Sequence, residues 1–379
     1  MYYFDNAATT AQKPDVVSKA VYAALTAGDI GNPSRGAHGY ALKAYDIVLT
    51  AKERIQALFH SRDRYEVAFT HNSTVALNMV LKGLIRPGDG VLTTAWEHNA
   101  VLRPLYQLEE QGVEVSVIPA VSPTGALAYE SLEKLLTPKT KWLVCNHASN
   151  VTGNVLDLDR IKAFCRNHHL GLIVDVSQTA GACDIDLSDG IVTAACFTGH
   201  KSLYGPGGTG GIVIRRDVEA RPFITGGDGV HTFEKEQPPE IPSVFEAGTA
   251  NVAGIAGLSA AVELILKTGI SAVLAHQQAL ADVFLPAVAN IPGIRLYGLF
   301  PALGSRLQPE YRRRRVGPGQ RYPMAGLWDG DAAGLSLCAL MHEALGTAVQ
   351  GTVRFSFSQF TTTADVLAAA DALKALARS

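Results

Sequence analysis

In "ACFTGHKSLYGPGGTGG", Ala195 to Gly211, an apolar run ends, a lysine follows at position 201, and glycines crowd behind it. An amine at the end of a buried strand can bond covalently to a carbonyl ligand, although a lysine alone suits a surface cation equally well. Its neighbours narrow the choice. Upstream, "LIVDVSQTAG" ends an apolar run in Asp175, with Gln178 three residues on, and a buried carboxylate needs a cationic partner. Further upstream, "FTHNSTVALN" puts Asn72, Ser73 and Thr74 at a strand-to-helix turn. Such a turn offers hydroxyls and unpaired backbone N–H groups to a phosphate, or serves as a plain helix cap. A lysine, a buried aspartate and a phosphate cradle, each after a different strand of one sheet, describe pyridoxal 5'-phosphate as the ligand. The lysine binds it covalently, the aspartate keeps its pyridine nitrogen protonated so that the ring accepts electrons, and the helix start holds its phosphate. A dinucleotide fits less well, because no GxGxxG opens the first strand-to-helix turn.

Positioning these residues requires a sheet. Short β-rich runs at 66–70, 90–94, 113–119, 141–146, 170–176, 194–199 and 210–215 alternate with segments such as "STVALNMVLKGL" and "LDRIKAFCRNHH", whose apolar positions recur at helical spacing. Strand and helix in alternation predict an α/β fold with a mainly parallel sheet covered on both faces, ligands collecting at the carboxyl ends of its strands. A polar stretch rich in Gly and Pro, "FITGGDGVHTFEKEQPPEIPSVFEAGT", then precedes a long helical region. The expected organisation is a large ligand-binding domain over residues 14–254 and a smaller α/β domain formed by 1–13 together with 255–379. Residues 299–340 stand apart: from Leu299 to Gly330 there is neither strand nor helix periodicity, and four arginines run together. A loop of that length inside a compact domain is unusual.

At 379 residues, 47% of them hydrophobic, the chain can build two domains and a substantial core. A net charge of -2 gives no electrostatic reason to expect nucleic acid or an anionic membrane as a partner. The five cysteines, at 145, 165, 183, 196 and 338, are odd in number and lack CxxC or Cys/His spacing. That pattern argues against a disulfide framework and a zinc site, and suits a reducing compartment. The start, "MYYFDNAATTAQKP", has neither the basic nor the apolar part of a leader, and no run reaches the roughly 20 apolar residues of a membrane helix. The expectation is a cytoplasmic enzyme acting on a small molecule.

Motifs running almost end to end sharpen this. "YYFDNAATT", "GNPSRGAHGYAL", "TTAWEHNAVLRPL", "NHASNVTGNVLDL", "DVSQTAG", "TGHKSLYGPGGTGG", "FEAGTANVAGIAGL" and "HEALGTAVQGTVRFSFSQFTT" occur in an order that resembles the cysteine desulfurase-like proteins. These belong to the class V aminotransferase group of fold-type I pyridoxal phosphate enzymes. The resemblance implies that Lys201 carries the cofactor, Asp175 pairs with its pyridinium, Gln178 bonds its phenolic oxygen and His98 stacks on its ring. It also implies that Asn150 lies beside the ring oxygen and the substrate carboxylate, and that Ser73, Thr74 and His200 meet the phosphate. Thr249 is expected to reach in from the other subunit of a homodimer, and Arg354 to clamp the substrate carboxylate through a bidentate pair. The implied reaction converts L-cysteine to L-alanine while an enzyme thiolate takes the sulfur as a persulfide, with a sulfur-acceptor protein as a further partner.

Cys338 is the cysteine in place for that role, in "AGLSLCALMHEALGT". The family loop reads approximately Arg-x-Gly-x-His-Cys-Ala-Pro-Leu, whereas Cys338 stands four residues after Gly334 and four before His342, a slip of one. In an extended loop that moves a side chain by about 3.3 Å and turns it to the opposite face. One codon set for Asp331 to Leu340, read one base later, encodes Thr-Arg-Pro-Gly-Phe-His-Cys-Ala-Pro-Leu. Two compensating frame changes, near residues 298 and 340, would therefore account for both the slip and the aperiodic segment. Two other readings stay open: a pyridoxal phosphate-dependent lyase or eliminase acting on cysteine, selenocysteine or cystine without a protein thiol, and a relative that binds the cofactor without turnover.

Overall fold

The structure is a computed structural model that describes residues 2–34, 36–229, 231, 233–299, 332–334, 337–349 and 351–378. Most of the aperiodic segment, including its four arginines, lies outside the described residues. Seven strands build the main sheet: β1 (Tyr65–Thr70), β2 (Gly90–Thr94), β3 (Glu114–Ile118), β6 (Thr140–Asn146), β7 (Gly171–Asp175), β8 (Val192–Thr198) and β9 (Gly210–Arg215). The short strands β4 (Ala120–Val121) and β5 (Ala126–Leu127) pair with each other beside it. The sheet order is β1-β9-β8-β7-β6-β2-β3. From β8 to β3 all pairs are parallel, and β9 runs antiparallel to both of its neighbours. All seven runs expected as strands are present, with ends moved by a residue or two.

Side chains of the central strands alternate between two cores, as the pleat requires. Leu172 and Val174 face one core and Ile173 the other; Ala195 and Phe197 face the first, Ala194 and Cys196 the second. Helices α3 (Ser73–Leu84) and α4 (Asn99–Glu109) cover one face through Leu77, Val80, Val101 and Leu105. Helices α2 (Gly39–Leu58), α6 (Leu158–Asn167) and α7 (Val252–Thr268) cover the other, α1 (Asp15–Thr26) packs on α7, and the single turn α5 (Leu132–Leu135) adds Leu132. Both faces being covered explains why β8 is buried at every position and carries no alternation in its sequence.

A third core forms where α8 (Ile270–Ala289) packs on α10 (Thr363–Arg378) around Phe4, Phe284, Phe355 and Phe357. By length and hydropathy α8 could cross a membrane, which the sequence reading did not anticipate. Its buried positions, Val273, Gln277, Leu280, Ala281, Phe284 and Val288, keep to the helical spacing of one face, and Leu280, Phe284 and Val288 enter this core, the pattern of an amphipathic helix on a protein core. The expected boundary at residue 255 falls inside α7. That helix sends Leu258, Ala261, Val262 and Ile265 into the main core, and the chain changes packing partner at Gly269, between α7 and α8.

Strands β10 (Ala332–Gly334) and β11 (Thr352–Arg354) pair antiparallel, and α9 (Ala339–Leu345) returns to the main core through Met341 and Leu345. The N-terminal segment ties these parts together. Asp5 bridges Ser356, whose N–H donates to the Phe4 carbonyl at 2.7 Å and whose hydroxyl accepts from the Ala7 N–H at 2.8 Å. A few residues on, Thr10 N–H donates to the His200 carbonyl at 3.2 Å, beside Lys201.

Candidate active site

The site is built on the carboxyl ends of the parallel strands. Where β1 ends, Asn72 caps α3, its side-chain oxygen accepting from the Val75 N–H at 3.0 Å. The N–H groups of Ser73 and Thr74 then have no acceptor among the described residues and point out of the first turn with the positive end of the helix dipole. Gly210 lets the neighbouring strand pass this turn, since a β-carbon there would sit 2.8 Å from Asn72 Cα. Thr74 and His98 line one pocket of ≈ 300 Å³, together with Asn78, Arg103 and Leu337.

Asp175 ends β7 and is 4% exposed. One of its oxygens accepts from both the N–H and the hydroxyl of Ser177, and no cation pairs with it among the described residues. Gln178 donates from Nε2 to the Ala7 carbonyl at 3.3 Å, and its Oε1 is buried without a partner among the described residues. His98 caps α4, with Nδ1 accepting from the Ala100 N–H at 3.0 Å, which leaves the ring proton on Nε2. Burial lowers the pKa of His98, and the Lys201 ammonium lowers it further while Asp175 opposes them. His200, one residue before Lys201, meets the Thr9 hydroxyl through Nδ1 at 3.0 Å. Burial, with Lys201 and Lys13 as neighbours, pushes its pKa down to about 4. The imidazole is therefore neutral at physiological pH.

A second group approaches from the C-terminal part of the chain. Arg354, in β11, donates from Nη1 to the Asn150 carbonyl at 2.8 Å and from Nη2 to Asp5 at 2.7 Å. Cys338 precedes α9, is fully buried, and donates its S–H to Asn150 Oδ1. Leu337, before it, has left-handed backbone at φ 54°, and its carbonyl accepts from the Asn99 N–H at 2.9 Å. The thiol thus sits in a pinned turn against Trp96 and Asn150 rather than on an extended loop. Burial raises its pKa and the nearby Glu97 carboxyl adds to the rise, while the hydrogen bond with Asn150, then Lys201 and Arg354, oppose it. Thr249 is exposed and lines a ≈ 350 Å³ pocket with Thr70, His71 and Gly210; Asn32 donates to its hydroxyl at 3.4 Å.

Two acidic residues of this neighbourhood were not singled out from the sequence. Asp5 lies inside "YYFDNAATT" and holds Arg354. Glu97, the residue before His98, accepts from the Asn146 N–H and the Thr94 hydroxyl, and its Oε2 is buried without a partner among the described residues. Burial pushes its pKa up to about 8, with Asp175 adding to the rise. A charged residue directly before a helix-capping histidine was the available signal for Glu97.

The donors present fit pyridoxal phosphate. Among the described residues a buried carboxylate lacks a cationic partner, a buried amide oxygen lacks a donor, and two N–H groups of a helix start lack acceptors. Fold and site together define an α/β protein whose buried polar residues gather at the carboxyl ends of a mainly parallel sheet. The family model Aminotransferase class-V matches residues 2–306, and the chain belongs to that family. It is 32% identical over 306 residues to a protein named probable cysteine desulfurase 1 of Mycobacterium leprae, covering 79% of this chain and 50% of that relative. To a cysteine desulfurase of Salmonella newport it is 32% identical over 312 residues, covering 80% of this chain and 76% of the relative. The chain thus spans about half the length of some curated relatives and three quarters of others. An apo structure of a cysteine desulfurase from Thermococcus onnurineus NA1 superposes with a TM-score of 0.87 at 24% identity, covering 100% of this chain and 94% of that one. The cysteine desulfurase CsdA (S-sulfonic acid) from Escherichia coli gives 0.83 at 29% identity, covering 99% and 94%.

Proposed function

We propose that the chain is a pyridoxal phosphate-dependent cysteine desulfurase, converting L-cysteine and an enzyme thiol to L-alanine and an enzyme persulfide. What supports this reading is that Lys201, Asp175 and the Ser73–Thr74 N–H groups lie at or just after the carboxyl ends of three strands of one sheet, with Arg354 reaching the Asn150 carbonyl of the loop after β6 from the C-terminal part of the chain. When bound, pyridoxal phosphate supplies an electron sink for the bonds at the substrate α-carbon. Lys201 would attach it and move protons with its amine, Asp175 would hold the proton on its ring nitrogen, and Gln178 and Asn150 would bond its ring oxygen. His98 would flank the ring, while Ser73, Thr74 and His200 would hold the phosphate, with Thr249 of the partner subunit in a homodimer. Arg354 and Asn150 would orient the substrate carboxylate, and Cys338 would take the sulfur before passing it to an acceptor protein. A large cofactor-binding domain, a smaller C-terminal domain completed by residues 1–13, and a cytoplasmic location complete the proposal.

A second reading rests on Cys338 itself. Its thiol is buried, and burial raises its pKa despite the bond to Asn150, whereas the thiolate is the nucleophile. An elimination on cysteine, selenocysteine or cystine needs no protein thiol. Alanine release from L-cysteine by the cofactor-loaded protein, beside a Cys338→Ser variant, separates the two. Alanine formed by the parent and lost in the variant supports the desulfurase; pyruvate formed equally by both supports the elimination.

A further inference from the structure

Arg354 is held on two sides by the protein itself. Its side chain is 5% exposed and that of Asp5 20%. A guanidinium carries five N–H donors. Two of those of Arg354 are engaged, one on the Asn150 carbonyl and one on Asp5, and the buried Nε–H has no acceptor among the described residues. Leaving a buried donor unmet is costly unless a ligand completes it.

Asp5 is itself fixed from both sides. Ser356, two residues after Arg354, bonds the Phe4 carbonyl and the Ala7 N–H, and its carbonyl accepts from Asn6 Nδ2 at 2.8 Å. The same N-terminal segment then reaches the lysine end of the site. The Thr10 hydroxyl donates to the Lys201 carbonyl at 3.1 Å, and Lys13 Nζ donates to the His200 carbonyl at 2.7 Å. One short stretch of chain therefore braces the arginine and the lysine together.

We propose that Asp5 is the positioning residue of the carboxylate clamp: with the Asn150 carbonyl it locks the Arg354 guanidinium, so that Nε–H and the remaining N–H groups are presented to the substrate carboxylate. This rests on the reading of Arg354 as that clamp. Two effects of Asp5 oppose each other. Its negative charge weakens the pull of Arg354 on a second anion, while its hydrogen bond fixes the fork that a carboxylate must meet. Positioning wins because the guanidinium is almost wholly buried, and a buried cation deprived of its anion turns toward whatever other acceptor it can reach.

The test uses the full-length, cofactor-loaded protein with Asp5→Ala, Asp5→Asn and Arg354→Ala variants. Two quantities are measured: kcat and KM for alanine release from L-cysteine, and the half-saturating concentration of cysteamine, which lacks the carboxylate, for perturbing the cofactor absorbance. Asp5→Ala should raise KM about tenfold with kcat within about twofold, and leave the cysteamine value unchanged. Asp5→Asn, which keeps a hydrogen-bond acceptor, should fall between, and it carries the test if the alanine variant loses its cofactor. A lowered KM would overturn the proposal by making Asp5 a competitor of the substrate. So would an unchanged KM beside a raised one in Arg354→Ala, or a cysteamine value that rises in step with cysteine. If Arg354→Ala itself leaves KM unchanged, the clamp reading falls and the proposal with it, while the cofactor reading stands.

Discussion

Asp175 and Cys338 are buried to nearly the same degree beside the same cluster, yet the chain holds them by different means. Asp175 ends a strand paired on both sides, and its carboxylate is fixed by a residue two positions away. Cys338 precedes a seven-residue helix, follows a leucine in left-handed backbone, and finds its partners in Trp96 and Asn150, far off in sequence. The Asp175 end, where we propose the cofactor binds, is thus supported by sheet backbone, and the thiol end by side-chain contacts across the fold. Chemistry separates them as well. The aspartate retains an oxygen for a cationic partner, whereas the thiol is already bonded and has its pKa raised.

The strongest way to break this comparison is at the cofactor end. Lys201→Ala should abolish both the visible absorbance of bound cofactor and alanine release; retained absorbance at the parent wavelength would displace Lys201 from its role. Asp175→Ala should lower turnover by on the order of 10²-fold, the scale for losing one positioned proton-holding group, and unaltered activity would refute its assignment. At the thiol end, alkylation of Cys338 in the folded protein near pH 8 should be at least about tenfold slower than that of a free thiol, because each unit of raised pKa removes tenfold of the thiolate. Mass spectrometry of the labelled peptide over time measures it, and labelling at the free-thiol rate would show a turn that opens.

The smallest effect tests the neighbour that both ends share. Glu97 has its pKa raised from 4.5 to about 8, so its neutral form is the one the fold favours. Its contribution to stability is complete below the unfolded value and is lost as pH rises through about 8. Thermal unfolding followed between about pH 5 and pH 9 should show the parent losing several degrees more than Glu97→Gln. Parallel profiles would mean that the carboxyl ionises at little cost.

Much of this was legible in the sequence. Seven β-rich runs became the seven strands, because each was short, apolar and bounded by turn residues. Lys201, Asp175 and the Asn72–Thr74 turn lie at strand ends, where a buried sheet meets solvent, and so their type and position could be read together. The Gly- and Pro-rich stretch before residue 255 marks a change of composition, whereas the change of packing partner, after α7 has joined the main core, leaves no such mark in the chain.

What the sequence by itself determined is the alternating sheet and the polar residues at its strand ends, since strand periodicity, caps and strand-end polar residues are local signals. Only the tertiary structure decided that Asp5 braces Arg354 and that Cys338 rests against Asn150. Those contacts join residues 349 and 188 positions apart, and side-chain hydrogen bonds at such separations leave no periodicity in the chain from which they could be read.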